Sequence, residues 1–72
     1  MQEGNVEFSE LLREAGVKPS ALSSMTGISQ PMLSQIKKGR RTPSSQNIIK
    51  IAIALGVEPV RVWSLFYGQQ SQ

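Results

Sequence analysis

The sequence predicts an all-α fold, five short helices in one compact domain, and three observations predict it. Apolar residues recur three and four apart in separate stretches, as along one face of an α-helix. Glycines close those stretches at Gly16, Gly27, Gly39, Gly56 and Gly68, and four of them open at Pro19, Ser29, Ser44 and the pair Glu58-Pro59. No segment reads as a strand, and there is no internal repeat.

The first helix takes its apolar stripe from Val6 or Phe8 with Leu11, Leu12 and Ala15, and closes near Gly16. Its Glu3, Glu7, Glu10 and Glu14 recur three or four apart; with no nucleophile or base beside them they read as a solvated face. Pro19 starts the second helix, because its fixed φ suits a first helical position whose amide needs no partner. Leu22 and Met25 are expected to face inward there, with Gly27 as a left-handed stop and Ile28 turning back to the core.

Ser29 is placed to cap the amide of Met32, and Pro31 is tolerated in a first turn, so a third helix is expected from Gln30 to Lys38, ending at Gly39. Leu33 and Ile36 form its inner face. After the basic turn Arg40 to Pro43, Ser44 caps a fourth helix that runs through Leu55. Ile48, Ala52 and Leu55 make its core stripe, while Ile49 and Ile53 lie on a second side. The fifth helix holds Val62, Trp63, Phe66 and Tyr67. The domain is thus expected over residues 6–68, after a flexible N-terminus (1–5) and before a polar tail (69–72) that frays.

A chain of 72 residues with neither cysteine nor histidine has no disulfide, no thiolate or imidazole metal ligand, and no histidine for acid-base chemistry. No nucleophile-base pair or phosphate-cradling glycine loop is present, so the reading is of a non-enzyme that needs no cofactor or metal. No apolar run nears the ~20 residues that span a bilayer, and the polar, acidic start is unlike a signal peptide, so a cytoplasmic protein is expected. The net charge of +3 is unevenly spread: residues 1–14 carry −3 and the remainder +6. Four cations crowd into Lys37, Lys38, Arg40 and Arg41, a field suited to a polyanion.

The stretch from Leu22 to Gly39 carries the function. Two short helices joined by a tight glycine turn pack at a steep angle, and the second then projects with its outer side free, at a width that matches the major groove of B-form DNA. That outer side holds Gln30, Ser34, Gln35 and Lys38.

Residues 8–67 resemble a Cro and phage-repressor (XRE-type) helix-turn-helix domain, whose fold is the compact five-helix lambda-repressor-like one. Leu22, Gly27, Ile28, Ser29, Leu33, Ser34, Ile36 and Gly39 match the family's landmarks, and Pro43, Ala52, Leu55, Gly56 and Val57 continue the pattern. The resemblance implies base contact by Gln30, Pro31, Met32 and Gln35, glutamine pairing with adenine and Met32 meeting a thymine methyl. It implies phosphate contact by Lys18, Ser20, Ser34, Lys37, Lys38, Arg40, Arg41 and Thr42 and at the helix start Ser44, Ser45 and Gln46.

The chain departs from the family's pattern in three ways. Ser23 replaces a usual alanine, and Pro19 stands where a phosphate-touching glutamine is common, leaving Lys18 or Ser20 to make that contact. Leu12 and Lys37 together replace a buried arginine-glutamate pair, so no orphan charge remains.

The expected function is that of a sequence-specific double-stranded-DNA-binding regulator, a repressor of phage, plasmid or mobile-element type, reading two half-sites as a homodimer. Ile53, Trp63, Phe66 and Tyr67 form the candidate dimer or partner surface. The alternative is an interaction module or antitoxin-type regulator that holds another protein on those apolar residues.

Overall fold

The computed structural model describes residues 6–68. The expected flexible N-terminus and frayed tail lie outside the described residues. Within them the chain forms α1 (Val6–Ala15), α2 (Pro19–Thr26), α3 (Gln30–Lys37), α4 (Ser45–Leu55) and α5 (Pro59–Tyr67), with no strand among the described residues.

Local chemistry sets these boundaries. Pro19, Pro31 and Pro59 sit in the first turns of their helices, where a missing amide costs nothing. The Ser29 hydroxyl accepts from the amide of Met32 at 3.3 Å, and that of Ser44 from Asn47 at 3.2 Å, so both serine caps are made as expected. Three helices close by the same pair of backbone bonds. In α3 the amides of Gly39 and Arg40 donate to the carbonyls of Ile36 and Gln35, and α1 and α4 repeat this through Gly16-Val17 and Gly56-Val57.

Helix α4 is the centre of the domain, packing on α5 and α2; α2 also packs on α3, and α1 on α3 and α5. Phe8, Leu22, Leu33, Ile36, Ile48, Ile51 and Val62 are fully buried, with Leu11, Leu12, Ile28, Ala52 and Leu55 around them. Ile51 belongs to this core although the expected stripe on α4 omitted it. Of the two candidates for the start of the α1 stripe Phe8 is buried and Val6 exposed, and Ala15 is also exposed.

Met25 is a correction: expected inward, it is 56% exposed. The inner face of α2 runs from Leu22 to Thr26, four residues apart, which turns Met25 outward. A polar residue can hold that place because both hydrogen-bonding roles of the Thr26 hydroxyl are filled, as donor to the Leu22 carbonyl at 2.7 Å and acceptor from the Ile28 amide at 3.1 Å.

Candidate nucleic-acid interface

The α2-turn-α3 unit is held by both backbone and side chains. Gly27 takes φ 80° and returns its amide to the Ser23 carbonyl at 2.8 Å, ending α2 where an L side chain would be strained. The chain then reverses through Ile28, whose carbonyl accepts from the Ser23 hydroxyl at 2.6 Å and whose amide donates to Thr26. Ser23 was expected only to fill an alanine's space; it also ties α2 to Ile28, in the turn just before the Ser29 cap of α3. With Leu33 and Ile36 buried, α3 has one rotational setting, and its outer side is fixed by default.

That outer side carries Gln30, Pro31 and Gln35 exposed, while Ser34 and Met32 are half-buried. Met32 packs partly against the core, so less of it is available for contact than its sequence position implies. Two clefts flank the helix. One is lined by Pro19, Gln30, Ser34, Lys37 and Lys38, the other by Ser29, Pro31, Met32, Gln35 and Arg41. The two glutamines therefore edge different clefts, a division that helical spacing alone did not disclose.

Around α3, Lys18, Ser20, Lys38, Arg40, Arg41, Thr42, Ser44, Ser45 and Gln46 are exposed, and Lys37 is half-buried. Leu12 is buried, so the interior beneath carries an apolar side chain. The loop after α3 is anchored by Pro43, which is buried and whose carbonyl accepts from the Tyr67 hydroxyl at 3.0 Å, 24 residues away. That bond fixes the head of α4, where the first-turn amides of Ser45 and Gln46 lack intrahelical carbonyls.

The carboxylates gather elsewhere. Glu7, Glu10 and Glu14 line a cleft between α1 and α5 with Arg61, which pairs with Glu14 at 3.2 Å. None of them lines either cleft beside α3. Among the described residues, then, the cations lining the clefts beside α3 share them with no carboxylate. Among the described residues no cluster of three or more acidic, cysteine or histidine side chains is placed to hold a metal ion, and no helix is long and apolar enough to cross a membrane.

The four residues expected to form a dimer or partner surface divide. Ile53 is 72% exposed and Trp63 42%. Phe66 and Tyr67 are half-buried and pack against the core, so each offers less of its ring to a partner than Ile53 and Trp63 offer of their side chains. Phe66 sets its ring 5.4 Å from that of Phe8, and Tyr67 is held by its bond to Pro43 and by stacking under Trp63 at 4.2 Å. The apolar surface extends instead to an open groove between α4 and α5, lined by Ser45, Ile48, Ile49, Pro59, Val60 and Trp63. Val60, 62% exposed, was missed; its spacing three residues before Trp63 was the available signal.

Comparison with known proteins agrees with this geometry. A family model described as Helix-turn-helix matches residues 9–62. The chain is similar to an uncharacterized HTH-type transcriptional regulator, y4dJ, of Sinorhizobium fredii, 36% identical over 55 residues that cover 76% of this chain and 71% of that protein. It is also similar to an uncharacterized HTH-type transcriptional regulator of Haemophilus influenzae, 30% identical over 54 residues that cover 69% of this chain and 55% of that protein.

Proposed function

Since the chain belongs to the XRE-type helix-turn-helix family, we propose that it is a sequence-specific transcription regulator that inserts α3 into the major groove of double-stranded DNA. The observation that carries this reading is the outer side of α3. Gln30, Pro31 and Gln35 stand exposed on a helix whose inner side is locked, between flanks that hold Lys37 and Lys38 on one side and Arg41 on the other. Glutamine amides match the donor-acceptor pair on adenine, and the surrounding cations with the amides at the head of α4 suit phosphates.

The reading extends to a homodimer acting in the cytoplasm as a repressor of phage, plasmid or mobile-element type, which blocks a promoter by occupying it. One such helix covers only a few base pairs, so specificity calls for two half-sites about one helical turn apart. The groove between α4 and α5 supports a second copy as its occupant. Its lining is uncharged, so two chains of net charge +3 can meet there without setting like charges together, as a self-complementary two-fold contact requires. Its lining includes Ser45, at the head of α4, so a partner seated there lies next to the candidate phosphate contacts Ser44 and Gln46.

The same exposed apolar face favours a second reading, in which α4 and α5 hold a different protein, as an antitoxin-type regulator does. Selection of bound duplexes from a random pool at two salt concentrations tests the first reading. Enrichment of a two-fold symmetric site, with affinity falling as salt rises, is the expected result. Salt-independent binding, or no enriched sequence, overturns it.

A further inference from the structure

The cation cluster after α3 is not one unit, because the two clefts beside the helix divide it. Lys37 and Lys38 line the cleft shared with Pro19, Gln30 and Ser34, whereas Arg41 lines the other, with Ser29, Pro31, Met32 and Gln35. The chain reaches that position by doubling back. Gly39 takes φ 78°, after which the amides of Arg40 and Arg41 both donate to the carbonyl of Gln35, at 2.9 and 3.3 Å. Arg41 is therefore tied to the residue whose side chain it borders. Its backbone is thereby anchored to α3, which sets the point from which the guanidinium extends. The residue is exposed, and the ion pair found among the described residues, Glu14 with Arg61, does not involve it.

We infer that Arg41 is a base-reading residue that recognises guanine in the major groove next to the base read by Gln35, an inference that rests on the major-groove reading proposed above. A phosphate needs only a positive charge nearby, which Lys37, Lys38 and Arg40 already supply. Guanidinium adds a planar fork whose two parallel N–H groups match N7 and O6 of guanine, and Arg41 is the arginine that shares a cleft with the reading edge. Gln35 beside it suits adenine, so the half-site contains adjacent G·C and A·T pairs on this flank.

The test is selection from random duplex DNA with the full chain and with Arg41→Lys, Arg40→Lys and Gln35→Ala. Arg41→Lys keeps the charge at an exposed site and loses the fork. It is expected to lower the preference for guanine at a single position about 5- to 150-fold, with the other positions and the salt slope unchanged. That position adjoins the one relaxed by Gln35→Ala, and Arg40→Lys alters neither. The inference is overturned if Arg41→Lys leaves every base preference intact, or if the enriched site has no guanine beside the Gln35-dependent position. A parent chain that enriches no sequence removes the major-groove reading itself, and this assignment with it.

Discussion

The Ser23 hydroxyl donates to the Ile28 carbonyl at 2.6 Å, tying the last turn of α2 to the middle of the connection that leads into α3. With the two bonds of Thr26, it makes the turn a side-chain-stitched unit in which the angle of α3 depends on hydroxyls three residues apart. Thr26→Val keeps the shape of that buried side chain and leaves the Ile28 amide without its acceptor. It is expected to cost about 1–3 kcal/mol, and Ser23→Ala about 1 kcal/mol. Denaturant unfolding checks both: the midpoint falls and the slope stays. Unchanged stability in Thr26→Val shows that the hydroxyls do not hold the turn.

Gly27 separates strain from crowding. Its φ is +80°, yet a Cβ built there meets nothing within 4 Å. Gly27→Ala is therefore expected to cost about 1–2 kcal/mol through backbone strain alone. In a domain of this size that lowers the melting temperature by roughly 4–8 °C per kcal/mol. Gly27→Asn, which tolerates the left-handed region, is expected to lose less. Equal losses for the two variants count against conformational strain as the cause.

Much of the fold was legible because its signals are local. Gly27, Ser29, Ser44 and Pro59 act on their own or adjoining turns, and each ends or begins a helix as their chemistry demands. Met25 was misplaced because α2 is only eight residues long. Over two turns, Leu22 with Met25 and Leu22 with Thr26 are equally helical pairings, and the decision falls to packing against α4 and to an amide, that of Ile28, able to satisfy a buried hydroxyl. Two long-range contacts left no trace in the spacing, Tyr67 reaching Pro43 and Phe66 meeting Phe8, nor did the reversal at Gly39 that brings Arg41 beside Gln35. The candidate interface was thus readable as a set of residues and unreadable as two separate clefts.

The cations beside α3 yield a graded prediction. Each phosphate neutralised contributes a log-log salt slope of about −0.9 on duplex DNA. Lys38→Gln and Arg40→Gln are each expected to reduce the slope by about that amount and to weaken binding to all sequences alike. Lys50→Gln serves as the control, because Lys50 is exposed on α4, nine residues past Arg41 and outside the basic cluster of Lys37, Lys38, Arg40 and Arg41. Binding titrations over a range of salt concentrations decide it; an equal effect from Lys50→Gln shows a diffuse field in place of defined contacts.

The ion pair between Arg61 and Glu14 joins α5 to α1 across 47 residues, and both side chains are more than half exposed. Water and salt screen such a pair, so Arg61→Ala is expected to cost no more than about 1 kcal/mol, with the loss shrinking at high ionic strength. Unfolding at low and high salt measures this. A larger, salt-insensitive loss shows that the stem of Arg61 contributes by packing over the α1–α5 cleft.

The apolar face of α4 and α5 gives the prediction on which the dimer stands. Ile53 is 72% exposed and Val60 62%, so each can take a charge with little harm to the monomer, within about 0.5 kcal/mol. Across a two-fold seam the same substitution places a carboxylate opposite its own copy or in a desolvated contact, and like charges so juxtaposed cost several kcal/mol. Val60→Glu, in the groove, and Ile53→Glu, on the outer side of α4, are therefore expected to weaken self-association at least tenfold, about 1.4 kcal/mol. Sedimentation at several concentrations reads the association, and binding to a two-half-site duplex should fall with it while binding to one half-site is kept. A chain that is monomeric before substitution, yet loses capture of another protein on Val60→Glu, assigns the face to a different partner. If neither variant changes association, DNA binding or stability, the seam lies elsewhere on the molecule.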